Sequence, residues 1–204
     1  LDLRLPDLDG FAVCGELVDS PETCHIPIII VSGSDQPDIV RSARAAGCDG
    51  AFVPTGRRLD AVRVVAMDMD STLITIECID EIADMKGIKA EVAAITASAM
   101  RGEIDFAESL TRRVALLAGL PATELERVYD ERLRISPGAV RMLTAFKAAG
   151  ATTALVSGGF TFFTDRLKAT LPLDVAVANT LEGAGGRLTG RSEGAIIDGE
   201  AKAA

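Results

Sequence analysis

The chain has 204 residues, of which 48% are hydrophobic and 25% charged, and this globular composition suits one large domain or two small ones. The net charge of −9 and the absence of a long Lys/Arg run argue against nucleic acid as a partner. No apolar stretch approaches the ~20 residues that cross a bilayer, so we expect no membrane partner.

The cysteines do not indicate a metal site. There are four, at positions 14, 24, 48 and 78, with no CxxC pair, and the chain has a single histidine, His25. This spacing does not form a zinc site. We expect reduced thiols in a cytoplasmic protein.

Residues 1–55 alternate short apolar strands with helical patterns, which is typical of an α/β unit with a parallel sheet. The stretch resembles the second half of a response-regulator receiver domain, through LDLRLP at 1–6, DGF at 9–11 and IIIVSG at 28–33. The resemblance places Asp2 at the phosphoacceptor position and Ser32 at the hydroxyl position. The acidic pair of the first strand and the lysine expected near 53–55 are absent, so we interpret 1–57 as a partial receiver-like segment.

A second α/β domain is predicted over 62–204, after a polar turn at 56–58. Its first strand, at about 63–67, delivers Asp68, Asp70 and Thr72 to its carboxyl end, where open α/β sheets bind ligands. Residues two apart in extended structure point the same way, so the two carboxylates should meet there.

Helical spacing dominates from about 76 to 135 and predicts four amphipathic helices inserted after the first strand, as a cap over the site. Ser136 and Pro137 then suit the N-cap and first position of a new helix. The strand from Thr152 ends in Ser157, Gly158 and Gly159, and a later strand leads to a hairpin turn at 183–186. The predicted fold is a Rossmann-like parallel sheet with an inserted four-helix cap.

Two aspartates beside a glycine-rich strand end point to phosphoryl transfer. One carboxylate can attack phosphorus while the other protonates the leaving oxygen and later activates water. A carboxylate nucleophile repels a phosphate dianion, so this chemistry requires a divalent cation and several hydrogen-bond donors. Thr72 and the amides of a Ser-Gly-Gly turn are suitable donors.

The sequence DMDSTL at 68–73 and VSGGF at 156–160 resembles two motifs of the phosphoserine phosphatase family, in the haloacid dehalogenase superfamily. The resemblance implies that Asp68 is the nucleophile and a Mg²⁺ ligand. It implies that Asp70 is the general acid/base and binds the ion through its carbonyl. Ser157 and Gly158 would hold phosphate, with Thr72 and Gly159 in the phosphate loop.

The cap segments ECIDEIA at 77–83 and AMRGEIDF at 99–106 are similar to the segments by which this family recognises an amino acid. The resemblance makes Glu77 and Arg113 the charged partners of the substrate. It makes Met100 and Phe106 its apolar wall, and packing within the helical core is an alternative for both. In DGEAKA at 198–203, Lys202 would bridge phosphate and nucleophile.

The predicted activity is Mg²⁺-dependent hydrolysis of O-phosphoserine through a phospho-aspartate, the last step of serine biosynthesis in this family. The alternatives are a related phosphotransferase, a phosphatase for another small phosphomonoester, or a non-catalytic receiver-type signalling fragment. No counterpart of the family's fourth motif, which carries further carboxylate ligands, follows Lys202. On that basis we expect the 204-residue chain to be a poor or inactive phosphatase.

Overall fold

The computed structural model describes residues 10–24, 41, 42, 45, 58–199 and 201. The chain divides into two compact units, Leu1–Arg57 and Arg58–Ala204. In the first unit, α1 spans Gly10–Asp19, close to the predicted helix, and buries Cys14. Asp2 and Ser32, which carry the receiver-like interpretation, lie outside the described residues.

Two of the cysteines are reduced as expected. Cys24 and Cys78 are free, the first exposed and the second buried. Cys14 is in a disulfide, so the expectation of a reduced thiol is wrong at that position.

The second unit is built on a four-stranded sheet in the order β1-β2-β3-β4. The strands are β1 Val64–Met67, β2 Thr152–Phe160, β3 Val175–Ala184 and β4 Arg187–Glu193. β1, β2 and β3 are parallel, which confirms the predicted Rossmann-like sheet, and β4 is antiparallel to β3. Gly185 and Gly186 both have positive φ in the turn between β3 and β4, so the hairpin lies where it was predicted.

The helices of the second unit fall between the strands. Those between β1 and β2 are α2 Cys78–Lys86, α3 Lys89–Met100, α4 Phe106–Ala115, α5 Thr123–Arg127 with a wide turn over Val128–Arg132, and α6 Ala139–Ala148. Helix α7, Thr161–Thr170, joins β2 to β3. Across the described ranges, no helix combines the length and the apolar character that spanning a membrane requires.

Local capping explains where these helices begin and end. Gly87 ends α2 in the left-handed region at φ 75°, and the Asp105 side chain accepts from the Glu108 amide at 2.7 Å at the start of α4. The predicted helix start at Ser136-Pro137 is wrong. Gly138 is left-handed at φ 83°, so the backbone turns there and α6 begins at Ala139.

The helices between β1 and β2 are fastened to the β3–β4 hairpin through main-chain hydrogen bonds. The Gly119 amide donates to the Leu188 carbonyl at 2.8 Å, and the Leu188 amide donates to the Leu120 carbonyl at 2.8 Å. The Ala122 amide donates to Gly186 at 2.9 Å. The turn after α4 therefore continues the hairpin's hydrogen bonding and fixes this end of the helical segment over the sheet.

Candidate active site

Asp68 and Asp70 lie directly after β1, at the carboxyl end of the parallel strands. The backbone from 69 to 73 forms an irregular turn in which Asp70 stays extended, at φ −64° and ψ 134°. Asp68 accepts a hydrogen bond from the Met69 amide at 2.7 Å. The turn therefore holds the Asp68 carboxylate at the strand end. The backbone continues through Asp70 in an extended conformation.

The surroundings of Asp70 favour its protonated form. Burial raises the pKa of Asp70 to about 6, and the charges of Glu77 and Asp68 add to this rise. The Cys78 amide donates to Asp70 Oδ1 at 3.1 Å, which acts in the opposite direction on that pKa but is outweighed by burial. A carboxyl with this pKa can both donate and accept a proton near neutral pH.

The Ser157–Gly159 loop faces these carboxylates from the end of β2. Ser157 is buried, and its Oγ accepts from the Gly159 amide at 3.0 Å. A Cβ added at Gly159 would lie 2.8 Å from Asp70 Oδ2, and one at Gly158 would lie 2.8 Å from Phe106 Cζ. Because only glycine permits such close approach, the loop and the carboxylates share a narrow space.

A cavity of about 170 Å³ lies between these groups. Its lining includes eight of the predicted site residues: Asp68, Asp70, Glu77, Phe106, Arg113, Ser157, Gly158 and Gly159. Apolar side chains of Ile79, Leu110 and Phe160 complete the wall. One small cavity thus combines two carboxylates, a glycine-rich loop and a pair of opposite charges.

The charged pair enters the cavity from the helical segment. Glu77 precedes α2, and its Oε1 accepts from the Ser71 hydroxyl at 2.5 Å. Arg113, on α4, donates through Nε to the Ser109 carbonyl at 3.3 Å. Burial lowers the pKa of Arg113, and the nearby charges of Asp80, Glu77 and Asp70 counteract that effect. The guanidinium stays cationic because an arginine pKa lies far above neutrality.

Among the predicted site residues that the structure describes, two are not part of the cavity lining. Thr72 is exposed, and Met100 is 85% exposed at the end of α3. Packing of Met100 in the helical core is therefore a wrong alternative, since the helix ends there with its side chain in solvent. Lys202 lies outside the described residues. The roles assigned to these three residues stay predictions.

Two polar residues that the sequence did not single out hold the site together. Ser71 has a left-handed backbone at φ 51°, unusual for a residue with a side chain, and its hydroxyl bonds Glu77. Asn179 on β3 is buried and donates to the Gly158 carbonyl at 2.8 Å. The only sequence signal for Asn179 was its position as a polar residue directly after the apolar run 175–178.

The donor set suits a hard dication. Asp68 and Asp70 both line the cavity and have oxygen atoms that can act as ligands. Within 10–24, 41, 42, 45, 58–199 and 201, no group of three or more His, Cys, Asp or Glu side chains could hold a metal. Magnesium commonly binds one or two carboxylates and completes its coordination with water and phosphate oxygens. The residues present therefore fit such an ion.

Comparison with known proteins places this geometry in a family context. Residues 65–204 match the family of haloacid dehalogenase-like hydrolases. The chain is 55% identical over 150 residues to phosphoserine phosphatase from a Polaromonas species, covering 71% of this chain and 64% of the relative. It thus spans less than two thirds of that relative's length.

Two solved structures are similar in fold to this chain. A substrate-bound phosphoserine phosphatase complex has a TM-score of 0.64 at 38% identity, covering 69% of this chain and 66% of its own. A phospho-aspartyl intermediate analogue of phosphoserine phosphatase has a TM-score of 0.61 at 41% identity, covering 65% of this chain and 63% of its own. Both structures are thus similar to this chain in sequence as well as in fold.

Proposed function

The chain belongs to the haloacid dehalogenase-like hydrolase family, and from that premise we propose that it is a Mg²⁺-dependent phosphatase acting on O-phosphoserine through a phospho-aspartate. In this proposal it catalyses the last step of serine biosynthesis. The observation that carries the proposal is the single cavity in which Asp68, Asp70 and the Ser157–Gly159 loop face Glu77 and Arg113. Curated and solved phosphoserine phosphatases among its relatives support the choice of substrate.

In the first step, a carboxylate oxygen of Asp68 attacks phosphorus, and the bond from phosphorus to the serine oxygen breaks. The leaving oxygen takes its proton from Asp70. Its pKa of about 6 leaves a useful fraction protonated near neutral pH. The products of this step are serine and a phosphoryl group on Asp68.

In the second step, Asp70 is ionised and accepts a proton from water as the water oxygen attacks the same phosphorus. The bond to Asp68 breaks, which releases inorganic phosphate and restores both carboxyl groups to their starting states. The Ser157 hydroxyl and the loop amides would hold the phosphoryl oxygens through both steps. The phospho-aspartyl analogue among the relatives is consistent with such an intermediate.

A magnesium ion bound by Asp68 and the Asp70 carbonyl would neutralise phosphate charge that otherwise repels the nucleophile. Lys202 is proposed as a further cation on the phosphate. Thr72 is proposed as a donor to it.

The amino-acid end of the substrate would lie toward the helical segment. The Glu77 carboxylate suits an ammonium group, and the Arg113 guanidinium suits a carboxylate. The ring of Phe106, which approaches Gly158 closely, would cover the substrate between the two ends. Met100 is proposed to join this apolar wall when substrate is bound.

Substrate selectivity tests this proposal. In Glu77→Gln and Arg113→Ala, kcat/KM for phosphoserine should fall by the equivalent of about 2–5 kcal/mol, the usual loss when one partner of a desolvated charge pair is removed. Turnover of an aryl phosphate, which has no amino-acid end, should change little. Arg112→Ala is the matched control, because Arg112 precedes Arg113 on α4 but is exposed and pairs with Glu108.

The result that would contradict the proposal is an equal loss on both substrates in Glu77→Gln and Arg113→Ala. Those residues would then serve the phosphoryl group or the fold. Transfer of phosphate to an added alcohol in preference to water would instead indicate a phosphotransferase.

A further inference from the structure

Asn179 lies on β3 behind the phosphate loop, and both ends of its side-chain amide are used. Nδ2 donates to the Gly158 carbonyl at 2.8 Å, and Oδ1 accepts from the Ile197 amide at 2.8 Å. A carbonyl can only accept and an amide N–H can only donate, so a single orientation of the side chain satisfies both. Asn179 is 2% exposed, and losing either partner would leave a buried polar group without a bond.

The loop needs such a support because it departs from the strand ladder. Val156 pairs with Val177 and Phe160 pairs with Asn179, so three residues of β2, at 157–159, stand opposite one residue of β3, Ala178. A bulge of this kind interrupts the main-chain hydrogen bonds between neighbouring strands. The Asn179 side chain reaches into the gap and holds the Gly158 carbonyl. It thereby sets the orientation of the peptide group that joins Gly158 to Gly159.

The second bond connects the loop to another part of the chain. Ile197 immediately precedes Asp198, whose Oδ1 accepts from the Ala201 amide at 2.9 Å and caps the short turn that follows. This turn leads directly to Lys202 in the sequence. One buried amide thus ties the glycine-rich loop to the segment from which a further phosphate-binding cation is proposed.

We propose that Asn179 is a positioning residue that fixes the Ser157–Gly159 phosphate loop and aligns it with the segment ahead of Lys202. The phosphate ligand in this inference rests on the proposed function. The positioning itself is a property of the free protein. Asn179 does not line the cavity, so it acts through Gly158 and Ile197 rather than by touching substrate.

Two substitutions at Asn179 distinguish the effects of its two side-chain hydrogen bonds. Asn179→Ala removes both, whereas Asn179→Asp keeps an oxygen for the Ile197 amide and places a second oxygen against the Gly158 carbonyl. The matched control is Thr153→Val. Thr153 is buried like Asn179, but it lies on β2 at the end of the strand opposite to the Ser157–Gly159 loop. Its hydroxyl donates to the Pro172 carbonyl at 2.7 Å and lies 3.2 Å from Asp174 Oδ2, so the control also loses side-chain hydrogen bonding at a buried residue.

The first measurement is amide hydrogen exchange by NMR on the free protein. Exchange of the Gly159 amide should be about ten-fold faster in both Asn179 variants, the factor expected for loss of one buried hydrogen bond. Ile197 should exchange faster in Asn179→Ala but not in Asn179→Asp. Thr153→Val should leave both amides unchanged even where its loss of stability is as large.

The second measurement is binding of inorganic phosphate in the presence of magnesium, together with turnover. Phosphate affinity should fall about ten-fold in Asn179→Ala, again the equivalent of one hydrogen bond. KM for phosphoserine and for an aryl phosphate should rise by the same factor, because the loop serves the phosphoryl end shared by both. Thr153→Val should keep the original affinity and KM.

Unchanged exchange at Gly159 in both Asn179 variants would overturn the inference, as would an equal increase in Thr153→Val. Faster exchange at Gly159 in a chain that hydrolyses an aryl phosphate but not phosphoserine would support the positioning role and contradict the proposed function. The two failures are therefore distinguishable.

Discussion

Asp68 and Asp70 are two residues apart, yet the fold gives them different surroundings. Asp68 accepts from its neighbouring amide at the strand end, whereas Asp70 is half-buried, accepts from the Cys78 amide and lies near the like charges of Glu77 and Asp68. The protein therefore keeps a carboxylate where its charged form is disfavoured. Such placement is typical of functional groups and costs stability.

Asp70→Asn should stabilise the fold while abolishing efficient turnover. The folded pKa of about 6 lies above the ordinary value of 3.8, so the stability penalty of this carboxyl grows as pH rises from 3.8 to about 6 and is complete above that. Below pH 3.8 the group is protonated in both states and this penalty vanishes. The asparagine still accepts from Cys78 but carries no charge, so the gain should be present at pH 7.5 and disappear toward pH 4.

Chemical denaturation at both pH values, with a chelator present, measures this effect. The gain at pH 7.5 should be at most on the order of 3 kcal/mol, from about two pKa units at 1.36 kcal/mol each. Asp80→Asn, on the neighbouring helix α2, is the control for removing a carboxylate. A stability loss at pH 7.5, or an equal gain at both pH values, would show that burial of the charge is not what the fold opposes.

The position of each helix and strand depends on local sequence signals and on close packing with its neighbours. The contact between α4 and β4 is set by Gly190, which has φ 82°. A Cβ there would lie 2.9 Å from Ala118 Cβ and 3.0 Å from the Ala115 carbonyl oxygen. The hairpin can approach the end of α4 only because this position has no side chain.

Gly190→Ala should therefore destabilise the protein more than Gly194→Ala. Gly194 also has positive φ, at 75°, but an added Cβ would meet no atom within 4 Å. The backbone cost alone should be about 1–2 kcal/mol at both sites, and overpacking at Gly190 should add about 1–3 kcal/mol. Equal losses in urea denaturation would mean that the hairpin and α4 can separate without cost.

The local signals explain which elements were predictable. The strand ends carrying Asp68 and Ser157, and the helix limits at Gly87 and Asp105, follow from periodicity and capping, which the sequence displays directly. The start of α6 could not be predicted from these local signals. Ser136-Pro137 is a good capping pair, but the left-handed Gly138 overrides it, and only the three-dimensional path of the chain decides between the two.

The site, like the fold, was predicted from the sequence only in part. Eight predicted residues line one cavity because two strand ends and two helices converge there. Asn179 was missed because its partners, Gly158 and Ile197, are 21 and 18 residues away, and no local pattern reports such a contact. Thr72 and Met100 illustrate the converse, since a position in a motif does not determine where the side chain points.

The second unit presents an apolar surface on one side of its sheet. Val64 of β1 and Val175 and Val177 of β3 are 61%, 41% and 38% exposed. The strand register places Ala154 and Val156 of β2 between them. Parallel sheets usually have both faces covered, so an open face of this composition is unusual.

This face should bind a hydrophobic dye without contributing much to stability. Replacing Val64, Val175 and Val177 by threonine keeps the β-branched shape and should reduce dye fluorescence with little change in the free energy of unfolding. Leu155→Ala, at a fully buried position of β2, is the contrasting variant and should cost about 2–5 kcal/mol. A large loss of stability in the threonine variant would show that these valines are covered in solution.

The proposed chemistry depends on a covalent bond between Asp68 and phosphate. The most direct measurement is to incubate the protein with phosphoserine and magnesium, quench it, reduce any acyl-phosphate with borohydride, and locate the modified residue by mass spectrometry. We predict modification at Asp68 in the unsubstituted chain and none in Asp68→Asn, which should also release no phosphate. Phosphate release without modification of Asp68, or modification at another residue, would contradict the proposed mechanism.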